Sequence, residues 1–304
     1  MDDVIVRAVA ALLPGGATRG EIAFGQRKLR WIEAGTGGPT VVLDAASGTP
    51  ALTWLPILPA LVPHTRVIAY DRAGFGASDP ATPLTFESQL DDLRALLSQA
   101  GGGPCVLVGN SWGGLLAQVV AWSDPDLVAG LVLVDPAHEE FRPWIVRAAE
   151  AVFARADVVR QALGRADRPL REQAAEQARR LTDDPRVQDL LVEAEMACHA
   201  QEQRFRTGIA ESRMVAGQVR LVRRLRSGSR LPDVPVVVLS ATVGLPNGMR
   251  TRWTALQAEV AAAAPRGEHA VVPEAGHYIH SSRPDAVTEA VLAVVEKARF
   301  EQGA

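Results

Sequence analysis

The stretch Cys105-Val106-Leu107-Val108-Gly109-Asn110-Ser111-Trp112-Gly113-Gly114 decides how this chain reads. Its four apolar residues have the look of a strand, and Leu115 to Trp122 follow at helical spacing. Between them lies G-x-S-x-G. A central residue in a strained strand-to-helix turn needs small neighbours two positions away, because side chains there collide with the reversing backbone. Gly109 and Gly113 supply that room. Ser111 is then presented at the C-terminal end of a strand and the N-terminus of a helix, where free backbone N–H groups favour developing negative charge. The bare pattern also arises by chance in glycine-bearing loops; its position between a strand and a helix makes Ser111 the candidate nucleophile.

Outward from the motif, the chain alternates short β-branched runs with helical stretches from about Glu21 to Pro136, and again from Val234 to the end. The runs Val41 to Leu43, Val67 to Ala69, Cys105 to Val108, Leu131 to Val134, Val236 to Leu239 and Ala270 to Val272 lack polar alternation. Such strands are buried on both faces, as in a largely parallel sheet, so the fold class is α/β. From about His138 to Arg230 the composition shifts to Ala, Arg, Glu and Gln with apolar residues at helical spacing. An all-helical insertion is expected, divided by Pro143, Gly164, Pro169, Pro185 and Gly208 into four or five helices.

Together with Tyr70-Asp71-Arg72-Ala73-Gly74-Phe75-Gly76-Ala77-Ser78-Asp79 and Glu274-Ala275-Gly276-His277, the Ser111 motif resembles the α/β-hydrolase family. That resemblance covers nearly all of the chain except the insertion. It implies an eight-stranded, mostly parallel sheet, a Ser, acid, His triad and a helical cap after the sixth strand. Residues 1–137 and 232–304 would form the core and 138–231 the cap.

A serine hydroxyl needs a general base within hydrogen-bond reach. His277 follows the Ala270 to Val272 run and a small-residue turn, and its Gly-His pair matches the family's base. His280 reads as a satisfied histidine at the start of the final helix. The family's usual acid position, the loop Ser240-Ala241-Thr242-Val243-Gly244-Leu245, holds no Asp or Glu. A second family arrangement places the acid just after the sixth strand, which selects Asp135; the competing role for Asp135 is a strand-ending cap of the turn at Pro136. Glu139 and Glu274 are the fallback carboxylates. The oxyanion donors implied by the resemblance are the N–H of Trp112 and that of Ala46, with Ala45 and Ser47 as neighbouring registers. Asp44, where many relatives carry His-Gly, is read as a loop-bracing hydrogen-bonding group.

The totals narrow the function. The chain has 304 residues, 47% of them hydrophobic, and a formal net charge of -3, which leaves no positive surplus to hold nucleic acid or an anionic membrane. Cys105 and Cys198 both sit in apolar or helical surroundings, so no disulfide framework is indicated and a reducing, cytoplasmic location is the expectation. Residues 4–13 lack the basic flank of a secretory signal and the length of a membrane span, and are read as a short packed helix. Gly74-Phe75-Gly76 lacks the third glycine of a dinucleotide fingerprint. His138-Glu139-Glu140 and His277-x-x-His280 lack the ligand count of a zinc site. No metal and no organic cofactor are expected, and a small-molecule substrate is; a monomer or homodimer fits.

The leading reading is a serine hydrolase acting on a small or medium ester, lactone or thioester. Phe141, Trp144, Phe153, Met196, Phe205 and Met214 are either cap core or pocket lining, with cap core favoured by their helical spacing. Arg220, Arg223, Arg224, Arg226 and Arg230 read as a solvated helix face, with carboxylate recognition as the other reading. Alternatives are an N-terminal peptidase using acids such as Glu139, Glu140, Glu193 or Glu195, a carbon–carbon bond hydrolase, a cofactor-free oxygenase or lyase, and a non-catalytic ligand receptor. Epoxide hydrolase and haloalkane dehalogenase chemistry is disfavoured, because those relatives carry Asp where this chain has Ser111.

Overall fold

The computed structural model describes residues 2–141, 167–200 and 202–302. Eight strands form one sheet in the order β1-β2-β4-β3-β5-β6-β7-β8. They are β1 Thr18–Phe24, β2 Arg27–Ala34, β3 Val41–Asp44, β4 Val67–Asp71, β5 Cys105–Asn110, β6 Val128–Val134, β7 Pro235–Ala241 and β8 Arg266–Val272. The β1–β2 and β2–β4 pairs are antiparallel and every other pair is parallel.

The uniformly apolar strands alternate in a way hydropathy alone cannot display. Val41, Leu43, Val106, Val108, Val132 and Val134 enter one core layer, whereas Val42, Leu107, Leu131 and Leu133 enter the other. A period of two sends successive side chains to opposite faces, and both faces here are covered by helices. Helix Pro284–Gln302 supplies Val287, Val291, Val294 and Val295 to the first layer. Helices Phe86–Ala100, Trp112–Ser123 and Asn247–Ala262 close the second.

Edge strands depart from the doubly buried expectation. In β8, Ala270 and Val271 are exposed and only Val272 is buried, because no strand among the described residues pairs beyond it. The β1–β2 hairpin, which no apolar run announces, sends Leu29 and Trp31 to the second layer, while the alternate positions of β2 pass from half-buried Lys28 and Arg30 to Ile32 and Ala34, which join the first.

The helical insertion lies between β6 and β7. Its described helices are Asp167–Leu181, Pro185–His199, Glu202–Gly217 and Val219–Gly228. Pro185 opens a helix at the first turn, where a missing N–H costs nothing, and Asp184 caps it by accepting from the N–H of Arg186. Pro169 likewise falls in a first turn. Gly208, expected as a break, lies inside Glu202–Gly217, where it faces the backbone of Gly48. Pro143 and Gly164 lie outside the described residues. Helix Asp2–Leu12 packs as expected for the N-terminal segment: its Ile5, Ala8 and Val9 join Ala174, Ala178, Val187 and Leu191 of the insertion in one apolar cluster. Cys105 and Cys198 are buried free thiols, and burial pushes Cys105 up to about 12. Among the described residues no helix is long and apolar enough to cross a membrane.

Candidate active site

Ser111 directly follows β5 and is the N-cap of helix Trp112–Ser123, with φ 51° and ψ −110°. A side-chain-bearing residue pays for such a conformation in strain, which the surroundings must hold. They do so by contact. A methyl group on Gly109 would lie 2.5 Å from the Gly113 backbone, and one on Gly113 would lie 2.4 Å from the Asp44 carbonyl oxygen. The elbow is therefore sealed against both its own helix and the loop that follows β3. The Ser111 N–H donates to Val134 O at 3.1 Å, and the Ala137 N–H to Ser111 O at 2.8 Å, tying the turn to the end of β6.

Asp135 is the first residue after β6, also at positive φ (44°). Its N–H donates to Leu239 O at 2.7 Å, and its carboxylate reaches across the sheet edge. Oδ2 lies 2.6 Å from His277 Nδ1. Oδ1 accepts from Trp253 Nε1 at 2.7 Å and from the Ala241 N–H at 3.1 Å. The last residue of β7, just ahead of the loop that holds no acid, thus contributes a donor to the carboxylate on the neighbouring loop. Asp135 is buried, whereas the His277 side chain is 41% exposed at the sheet edge.

Three further side chains hold this arrangement without having been singled out in the sequence. Asn110 donates to Val134 O at 2.8 Å and to His277 O at 3.1 Å, linking the ends of β5 and β6 to the histidine loop. Trp253 positions Asp135 and packs on Phe141, ring centroids 4.6 Å apart. Arg72 donates to the Ala45 and Ala46 carbonyl oxygens at 2.6 and 2.7 Å. Asp44 braces the loop, accepting from Tyr70 and Arg72 at 2.6 Å each. Trp112 is the first residue of the elbow helix, and Ala46 lies in the loop that abuts Gly113; both are buried.

The other candidates lie elsewhere. Glu139 is bound bidentately by Arg226 at 2.7 and 2.9 Å, and Glu140 by Arg223. Arg226 also lies over the Trp122 ring. The arginine-rich helix is therefore latched to the exit of β6 by two residues rather than wholly solvated, while Arg220, Arg224 and Arg230 are exposed. Glu274 is exposed on the turn after β8, Glu193 is exposed, and Glu195 lies 2.9 Å from His199 Nε2. Met196 and Met214 pack against the two core layers. Trp144, Phe153 and the Phe205 side chain fall outside what is described.

His280 is fully buried in the short helix Ile279–Ser282, ahead of the final helix. Its Nε2 lies 3.1 Å from Thr53 Oγ1, while Nδ1 has no hydrogen-bond partner among the described residues, so it is only half satisfied. Burial, reinforced by His277, pushes its pKa down from 6.5 to about 3. Above pH 6.5 both folded and unfolded forms are neutral there; below it the unfolded chain binds a proton that the folded chain refuses. Stability is therefore lost as pH falls from 6.5 towards 3, by about 1.4 kcal/mol per pH unit, or roughly 2 kcal/mol at pH 5. Urea unfolding of His280→Phe across pH 4.5–7.5 should show a slope shallower by that amount; parallel curves would refute it.

A mostly parallel eight-stranded sheet, a serine at a strained strand-to-helix elbow and a helical insertion after β6 define an α/β hydrolase framework. Residues 38–290 match the Alpha/beta hydrolase family, and the chain belongs to it. Lipase LipV of Mycobacterium tuberculosis is 37% identical over 107 residues, which cover 35% of this chain and 41% of that protein. The sn-1-specific diacylglycerol lipase ABHD11 of Danio rerio is 31% identical over 166 residues, 52% of this chain and 50% of that one. These matches span half or less of the curated relatives' length. Cfl2 from Burkholderia cenocepacia shares the fold over 91% of this chain and 95% of its own, with a TM-score of 0.70 at 22% identity.

Proposed function

We propose that this chain is a cofactor-independent serine hydrolase that cleaves a small or medium ester, lactone or thioester through an acyl-enzyme, with residues 138–231 as its cap. The observation that carries the reading is the 2.6 Å contact between His277 Nδ1 and Asp135 Oδ2 on the sheet edge where the Ser111 elbow ends. A carboxylate facing Nδ1 selects the tautomer protonated there and leaves Nε2 unprotonated as a base. Ser111 Oγ attacks the acyl carbonyl as His277 Nε2 takes its proton. The Trp112 and Ala46 amides hold the oxyanion, and His277 returns the proton to the departing alcohol or thiol. Water then attacks the acyl carbonyl as His277 takes its proton, and His277 returns that proton to Ser111 Oγ as the acyl bond breaks and the acid leaves.

An ester-type substrate is supported by the lipase names of the two curated relatives. The N-terminal peptidase alternative loses support, since Glu139 and Glu140 are neutralised by Arg226 and Arg223 and Glu195 is engaged by His199. The test is labelling with a fluorophosphonate probe. Folded protein should take up one equivalent on the Ser111 peptide and hydrolyse 4-nitrophenyl acetate, and Ser111→Ala should do neither. Absence of the adduct in the folded parent would sink the reading.

A further inference from the structure

Glu211 is a carboxylate from the insertion, on helix Glu202–Gly217, with no solvent exposure, seated among core residues. Its Oε1 accepts from Arg72 Nε at 2.8 Å and from Gln89 Nε2 at 2.6 Å. Its Oε2 accepts from the Gly48 N–H at 3.0 Å and from Arg72 Nη2 at 3.2 Å. Arg72 spends every guanidinium N–H in this network, the remaining acceptors being Asp44 Oδ1, Ala45 O and Ala46 O.

The geometry of a peptide unit gives this network a consequence. The Ala45 carbonyl and the Ala46 N–H belong to one planar, trans amide, so fixing the carbonyl aims the N–H to the opposite side. Arg72 fixes that carbonyl at 2.6 Å. Gln89, held by Glu211, accepts from Trp112 Nε1 at 2.9 Å, on the residue whose own N–H is the second oxyanion donor. One carboxylate from the insertion is thus connected to both halves of the oxyanion hole, to Ala46 through Arg72 and to Trp112 through Gln89.

We propose that Glu211 is a positioning residue for the oxyanion hole, acting through Arg72 and Gln89, so that seating of the cap and alignment of the Ala46 and Trp112 amides are a single event. The inference rests on the serine-hydrolase reading above. Asp44, Arg72 and Glu211 place two carboxylates around one cation, so Glu211→Gln leaves an electrically balanced Asp44–Arg72 pair and a neutral group of the same size. The substituted amide can no longer accept on both of its atoms, and the grip on Arg72 or on Gly48 is released.

The experiment compares the parent with Glu211→Gln and Gln89→Met, the second cutting only the branch to Trp112. Each is followed for the rate and the end-point stoichiometry of fluorophosphonate labelling, and for kcat and KM on 4-nitrophenyl acetate. Loss of folded protein lowers the end-point; misaligned donors lower the rate per labelled site. Both variants should reach parental stoichiometry with labelling rates and kcat reduced about 10- to 100-fold and KM within about threefold. Should Glu211→Gln lower the yield of folded protein, Gln89→Met decides by the same criterion. Parental per-site rates in the folded variants overturn the inference and leave the hydrolase reading intact. Failure of the parent itself to label overturns the hydrolase reading instead.

Discussion

Asp135→Asn is expected to lower kcat for ester hydrolysis by about 10⁴-fold while leaving the fold intact. The size of the effect follows from which atoms surround the carboxylate. Trp253 Nε1 and the Ala241 N–H both donate to Oδ1, so an asparagine must place its carbonyl oxygen there. Its NH2 group is then forced into the Oδ2 position, 2.6 Å from His277 Nδ1. A donor at that point demands an acceptor, so Nδ1 loses its proton and Nε2 gains one. His277 is left with no lone pair to take the Ser111 proton. Volume and packing are conserved, and the thermal midpoint should move by no more than a few degrees. Turnover within tenfold of the parent, measured with 4-nitrophenyl acetate on folded Asp135→Asn protein, would remove Asp135 as the acid.

The same atoms show what a sequence can and cannot disclose. The placement of Ser111, Asp135 and His277 is readable because each stands close after a strand whose apolar run is short and unambiguous, and because the elbow demands glycine at fixed spacing. Trp253 is not readable: it lies 118 positions from Asp135 on a helix, and one aromatic at helical spacing carries no mark of an indole N–H aimed at a carboxylate. Asn110 occupies a variable position of the motif, so the pattern is silent about its role. Arg72 and Glu211 are separated by 139 residues, and a glutamate in a helix rich in Ala, Arg and Glu looks solvated until the fold buries it. The insertion misleads most for this reason. Charge there reads as surface, yet Arg226, through Gln118, and Glu211, through Arg72 and Gln89, fasten it to the core.

The charged contacts of the insertion fall at two separate places. Arg226 and Arg223 hold the exit of β6, close to Asp135 in sequence, whereas Glu211 holds the loop after β3. The first pair bridges the start of the insertion to its last described helix and includes an exposed member, so its energetic contribution is modest. The second is buried on every side, where leaving any partner unmatched is costly. On the proposal above, the influence of the insertion on the site passes through Glu211 and the β3 loop, and that loop also meets the elbow directly.

Gly113→Ala tests this direct contact and is expected to cost about 100-fold in kcat together with roughly 1–3 kcal/mol of stability. The added methyl would sit 2.4 Å from the Asp44 carbonyl oxygen and 2.7 Å from that of Ala45. Both are backbone atoms pinned from the other side, Ala45 by Arg72 and the Asp44 carboxylate by Tyr70 and Arg72, so neither can retreat by a simple rotation. Relief comes only from parting the β3 loop and the elbow helix by close to an ångström. That displacement carries Ala46 away from Trp112 and widens the gap the oxyanion must span, while Asp135 and His277 are untouched. The loss should therefore appear in kcat and in the labelling rate, with KM little changed. Gly217→Ala, where nothing lies within 4 Å of the new methyl, is the control and should behave as the parent. A Gly113→Ala protein with parental kcat would show that the loop yields freely, and that the Ala46 amide is not held against the elbow in the way the hydrogen bonds imply.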